Sequence, residues 1–192
     1  MKGISSVILC GGQCRRMGRE KAELMWNGRE LLDVIAGNLA GLGDVFLSAD
    51  RKTRFAGKPY PVVEDRYPDC GPLGGIYTAL TACGTPFLFV VSCDMPFVTG
   101  DAGKLLHGRV NRENAAIPME TGGRIHPLCA VYRQNAAPIL LRQLRTGNFC
   151  MRDALNRLQT VYVPAEELPG GERTLCNINT PEDYMKVSRT EC

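Results

Sequence analysis

The sequence predicts a three-layer α/β fold, a mostly parallel central sheet with helices on both faces and an antiparallel strand region. Three observations predict it. Apolar runs of strand length alternate with segments of helical period over the first two-thirds of the chain. The run Phe87–Ser92 is apolar almost throughout, as a central strand covered on both faces must be. Two later runs, near residues 115–119 and 128–132, flank Thr121-Gly122-Gly123-Arg124, a turn that marks an antiparallel pair.

The elements follow in order. Residues 4–9 read as a buried first strand ending in Gly11-Gly12. Residues 30–42 put Leu32, Ile35, Leu39 and Leu42 on one helical face, closed by Gly43-Asp44. Residues 45–48 and 60–64 are short strands, the second ending at Asp65. A Pro/Gly-rich loop over 67–75 leads into a helix carrying Leu73, Ile76, Tyr77 and Leu80, with Pro72 in its first turn. After the central strand, Thr99 or Asp101 caps a helix that runs through Leu106. Helices near 136–144 and 151–158 and a strand at 161–163 complete the alternation. The end reads as extended over 175–179, then a capped helix at Thr180-Pro181-Glu182-Asp183.

With 192 residues, no repeat and no linker, one domain over 1–192 is the economical division. The hydrophobic share of 44% and the net charge of +3 describe an ordinary globular protein and give no nucleic-acid signature. No run reaches membrane-span length, and the first residues do not form a signal peptide. Nine cysteines are scattered without a C-x-x-C pair, so they read as reduced core or near-site thiols of a cytoplasmic protein, not a disulfide or metal framework.

Chemistry collects at the ends of predicted strands, where open α/β sheets bind ligands. Arg15, Arg16, Arg19 and Lys21 follow the Gly11-Gly12 turn within a few positions. Glycines admit a close backbone approach, and freed N–H groups with nearby cations attract a polyphosphate. The plain alternative is a glycine turn with solvated cations. Neither G-x-G-x-x-G nor G-x-x-x-x-G-K-[ST] occurs, so this is neither a dinucleotide fingerprint nor an ordinary P-loop. Asp94 closes the apolar central strand just before Pro96, a fixed carboxylate of the kind Mg²⁺ shares with substrate phosphates. Asp65 either contacts a nucleotide, assists the metal, or opens an Asx turn toward Tyr67-Pro68. His126 lines a pocket or serves packing alone. With no covalent nucleophile in view, these features point to phosphoryl or nucleotidyl transfer by positioning and charge neutralisation.

The segment Leu9-x-Gly11-Gly12-x-x-x-Arg16-Met17-Gly18-x-x-Lys21 closely resembles the signature of nucleotidyltransferases acting on the molybdenum cofactor and on activated sugars. Glu64-Asp65, Gly71-Pro72-Leu73-x-Gly75-Ile76, Cys93-Asp94-x-Pro96, His126-Pro127 and Asn177-Ile178-Asn179-Thr180-Pro181-Glu182 follow in the expected order. Together they resemble the molybdenum cofactor guanylyltransferases. The resemblance implies a Rossmann-like nucleotidyltransferase fold, with a nucleotide-binding half at about 1–100 and an acceptor-binding half at about 101–192. It implies GMP transfer from GTP to molybdenum-bearing molybdopterin, releasing pyrophosphate, with Mg²⁺ as cofactor. Transient contact with molybdenum-inserting or molybdoenzyme-maturation proteins belongs to the same expectation. On this likeness Leu9, Cys10, Gly11 and Gly12 lie along the nucleotide and Lys21 meets its phosphates. Arg16 neutralises the leaving pyrophosphate, Asp65 holds the guanosine end and Asp94 binds Mg²⁺. His126 and Asn179 face the pterin side. Arg16, Lys21 and Asp94 form the catalytic set. Cys10 and Cys14 depart from the usual small residues, and Ser48 stands where some relatives carry a nucleotide-binding asparagine. The cytidylyl-transferring relatives, with L-A-A-G and without G-P-L-x-G-I, are the nearest rivals, followed by sugar-1-phosphate nucleotidyltransferases, and a nucleotide- or cofactor-binding module without catalysis is the alternative from another class.

Overall fold

The computed structural model describes residues 3–11, 24–26, 28–178 and 183. Its centre is a seven-stranded sheet of β1 (Ile4–Leu9), β4 (Val45–Ala49), β5 (Val62–Glu64), β6 (Phe87–Ser92), β7 (Ala115–Met119), β8 (Cys129–Arg133) and β9 (Thr160–Pro164). Two further strands, β2 (Met25–Trp26) and β3 (Arg29–Glu30), form a separate small hairpin that the sequence did not suggest. Strands lie in the order β5-β4-β1-β6-β8-β7-β9. β1 pairs parallel with β4 and β6, β4 with β5, and β7 with β9. Only β8 runs against its neighbours, antiparallel to both β6 and β7. β6 stands fourth of seven, the central place its composition demanded.

Two packed layers flank this sheet, because alternate side chains of each strand face opposite ways. Ile4 and Ile8 of β1 and Phe89 and Val91 of β6 meet α1 (Leu31–Asn38) and α3 (Gly100–Arg109) on one face. Val7, Leu88 and Val90 meet α2 (Gly71–Ala82), α4 (Ala137–Arg145) and α5 (Met151–Leu155) on the other. Helices therefore cover both faces, as expected.

Several boundaries differ from expectation for identifiable reasons. α1 stops at Asn38, and Leu39 and Leu42 bury their side chains from the irregular turn beyond it. Gly41 there adopts φ +85°, the left-handed backbone that favours glycine. β5 begins only at Val62: the chain bends over residues 58–60, and Pro61, without an N–H, only accepts, from Leu47 N–H at 2.9 Å. Thr99, not Asp101, caps α3, its Oγ1 accepting from Ala102 N–H at 3.4 Å. Leu175 ends a 3₁₀ turn over Gly171–Leu175 and is not extended. No helix among the described residues is long and apolar enough to cross a membrane.

Candidate active site

The chain leaves β1 toward β4 and β5 on one side and later places β6 on the other, so the strand order reverses between β1 and β6. Such a switch point opens a crevice at the carboxyl ends of the strands, the usual ligand position in an open α/β sheet. Leu9 ends β1 directly opposite Ser92 of β6, and Cys93 N–H donates to the Leu9 carbonyl at 3.3 Å. Cys10 N–H donates to the Ser48 carbonyl at 2.9 Å, holding the departing chain beside β4. Leu9, Cys10, Gly11 and Asp94 are thus brought to one crevice. Gly11 is exposed, and a Cβ there would meet no atom of the described residues within 4 Å. Gly12, Arg16, Lys21 and Asn179 lie outside the described residues.

Asp94 is almost fully buried, 6% exposed, in a tight turn where Met95 N–H donates to Ser92 C=O at 3.3 Å. Ile178 N–H donates to the Asp94 carbonyl at 2.8 Å, bringing the segment that precedes Asn179 onto the same rim. Asn177, next to it, keeps its amide oxygen buried without a hydrogen-bond partner among the described residues. A carboxylate is the hard oxygen donor that Mg²⁺ takes, usually one or two of them together with phosphate oxygens and waters. No group of three His, Cys, Asp or Glu able to hold a metal occurs among the described residues. As a carboxylate fixed at this rim, Asp94 has the donor chemistry of a ligand to a metal shared with a substrate phosphate.

Asp65 follows β5, held by its N–H donating to the Ala49 carbonyl at 2.8 Å. Its Oδ1 accepts from Tyr67 N–H at 2.9 Å, which makes the Asx turn, and from Thr78 Oγ1 at 3.1 Å. Fully buried Thr78 accepts in turn from Arg66 N–H at 3.2 Å. Asp65, Arg66, Thr78 and Lys52 line a cleft of about 380 Å³ at the sheet edge. β4 and β1 separate β5 from β6, so the chain ends carrying Asp65 and Asp94 start roughly 14 Å apart. One ion with ligands at about 2.1 Å does not bridge that gap, which removes the metal-assisting alternative for Asp65.

The β7–β8 loop emerges on the same rim because β8 is reversed. Ser92 N–H donates to the Leu128 carbonyl at 2.9 Å, so the loop borders the Asp94 turn. Within it His126 is buried, and its Nε2 lies 2.6 Å from Glu120 Oε1. Thr121 donates from Oγ1 to Glu166 at 2.5 Å, tying the loop to the chain after β9. Sequence reasoning found His126 but missed Glu120, six residues away across the turn, because no local pattern pairs them.

α2 begins at this rim, so its first-turn N–H groups, which have no partner within the helix, and its positive dipole end lie there. Gly75 of α2 is packed so closely that a Cβ would lie 3.3 Å from Leu9 Cδ2 and 3.4 Å from Ser48 Oγ. The G-P-L-x-G-I segment therefore serves to seat this helix against the end of β1. Cys10, Cys93 and Cys129 are buried, whereas Cys150 and Cys176 are exposed. Burial pushes the Cys83 thiol up to about 11 and Cys129 to about 12, so neither offers a thiolate near neutral pH.

Residues 6–161 match the MobA-like NTP transferase domain. A probable molybdenum cofactor guanylyltransferase of Bacillus velezensis is 33% identical over 95% of this chain and 93% of its own. One from Bacillus subtilis is 31% identical over 93% and 92%. Among solved structures, molybdopterin-guanine dinucleotide biosynthesis protein A of Archaeoglobus fulgidus superposes with a TM-score of 0.86 at 27% identity, covering 97% of both chains. A 2-C-methyl-D-erythritol 4-phosphate cytidylyltransferase from Thermus thermophilus shares the fold, with a TM-score of 0.70 at 18% identity.

Proposed function

This chain belongs to the MobA-like NTP transferase family and is a nucleotidyltransferase of molybdenum cofactor biosynthesis, and from that premise we propose that it transfers GMP from GTP to molybdenum-bearing molybdopterin. The observation that carries the proposal is the crevice between β1 and β6, where Leu9–Gly11 and Asp94 follow the carboxyl ends of two adjacent strands.

In this reading the triphosphate follows the glycine turn after β1, with Lys21 on its phosphates and Arg16 on the departing pyrophosphate. Asp65, three strand spacings from β6, holds the guanosine end. The attacking group is the pterin phosphate, already anionic near neutral pH, so no general base is required. Its oxygen bonds to the α-phosphorus while the bond to the β-phosphate oxygen breaks, and pyrophosphate leaves with that electron pair. Asp94 is the residue that would hold Mg²⁺, whose charge, when bound, lowers the repulsion between the two anions. The residue range 101–192 forms the acceptor-binding half, with His126 and Asn179 on the pterin side, and 1–100 forms the nucleotide-binding half.

Incubation with each of the four nucleoside triphosphates, molybdopterin and Mg²⁺ tests this directly. Mass spectrometry is expected to detect the guanine dinucleotide alone; a cytosine dinucleotide as main product would refute the assignment of GTP. A finer expectation concerns Thr78, whose hydroxyl orients Asp65. Thr78→Val removes a bond worth about 1 kcal/mol, so the KM for GTP should rise about fivefold with kcat nearly unchanged. Steady-state kinetics at saturating pterin would detect it, and an unaltered KM would remove Asp65 from the guanosine end.

A further inference from the structure

Three distant parts of the chain converge on the turn that carries Asp94. Trp26, in the small hairpin, meets Phe97 edge-on, with ring centroids 6.0 Å apart and planes at 86°. The Arg173 guanidinium lies over the same Phe97 ring, 4.5 Å from its centroid. Asn38 Nδ2 donates to the Pro96 carbonyl at 2.9 Å, and Ile178 N–H donates to the Asp94 carbonyl. The segment after β9 therefore grips the turn at both ends, by a cation on its aromatic side chain and by a backbone bond to the aspartate. The backbone bond fixes where the Asp94 peptide sits. The Asn38 bond and the buried Met95 and Val98 side chains hold the backbone of the turn further on, and Phe97 is the side chain through which Arg173 bears on it.

We propose that Arg173 is a positioning residue for nucleotidyl transfer: stacked on Phe97, it fixes the turn over 93–97 and with it the direction of the Asp94 carboxylate. The inference rests on the metal role of Asp94 put forward above. Mg²⁺ demands near-ideal octahedral geometry, so a carboxylate displaced by a fraction of an ångström binds it less well. Arg173 reaches the site from the acceptor-binding half, so the two halves meet at the metal ligand.

The test is Mn²⁺ titration in the presence of GTP, followed by electron paramagnetic resonance, on the full chain. Arg173→Met keeps the apolar stem and loses the cation; the Mn²⁺ midpoint should rise roughly tenfold, with GTP affinity in the absence of metal unchanged. Arg173→Lys, which still presents a cation to the ring, should recover most of the loss. Phe97→Leu should reproduce the shift, and the Arg173→Met/Phe97→Leu double variant should be no worse than either single one. An unmoved midpoint in Arg173→Met, or full additivity in the double variant, overturns the proposal. Asp94→Asn serves as the separate control: if it binds Mn²⁺ as the parent does, the metal assignment itself is wrong, whatever Arg173 does.

Discussion

Asp94→Asn is expected to lower kcat roughly a thousandfold while leaving the fold in place. The substitution exchanges one oxygen for an amide nitrogen in a side chain that is almost fully buried, so its volume and packing are conserved. What it removes is the negative charge at the crevice between β1 and β6. The backbone bond from Ile178 N–H to the carbonyl of residue 94 does not involve the side chain and persists. Pyrophosphate release at saturating GTP measures the loss, and thermal melting within about 4 °C of the parent checks the fold. If pyrophosphate were still released at parental rate, Asp94 would be only the turn-capping residue its position before Pro96 also suits.

The second large effect is on stability. Gly43→Ala is expected to destabilise the protein by about 3 kcal/mol, or a melting point lower by about 10 °C. A Cβ at this position would lie 2.0 Å from the Ile4 carbonyl oxygen and 3.1 Å from its carbon, both backbone atoms of β1. Neither can swing aside as a side chain would. The next residue, Asp44, accepts from Ser6 N–H at 2.8 Å, so any shift also strains the ladder that leads β1 to the crevice. Gly41→Ala is the informative comparison: its Cβ would meet no atom of the described residues within 4 Å, which leaves the strained φ of +85°, about 1 kcal/mol. Chemical denaturation of the two variants side by side should separate close approach from backbone strain, and equal losses would disprove the distinction.

That pair of glycines shows how far sequence could go. Gly43-Asp44 reads as a helix stop, and the helix does stop, but the left-handed residue that turns the chain is Gly41. The role of Gly43 depends on a neighbour nearly forty positions earlier in the chain, which no local pattern encodes. The same division holds at the site. Asp94 was legible because an apolar run of strand length can end in a carboxylate only at the rim of a sheet. Its adjacency to Leu9 was not, since strand order is set by how whole layers pack. Asp65 carried three readings, and Oδ1 does make the predicted Asx turn while also receiving Thr78, a residue from the middle of α2. Glu120 and Arg173 escaped notice because each acts on a partner brought close only by the folded turn.

One reversed strand has a consequence for how such a protein changes its substrates. β8 shares hydrogen bonds with β6 and β7 and none with β1, β4 or β5. Leu128 is tied to Ser92 at the end of β6, but the tip of the loop over 120–127 can change in chemistry without touching the parallel ladder of β1, β4 and β5. On the proposed division of labour, choice of acceptor would be a modular trait, exchanged at one hairpin while the nucleotide side stays unchanged.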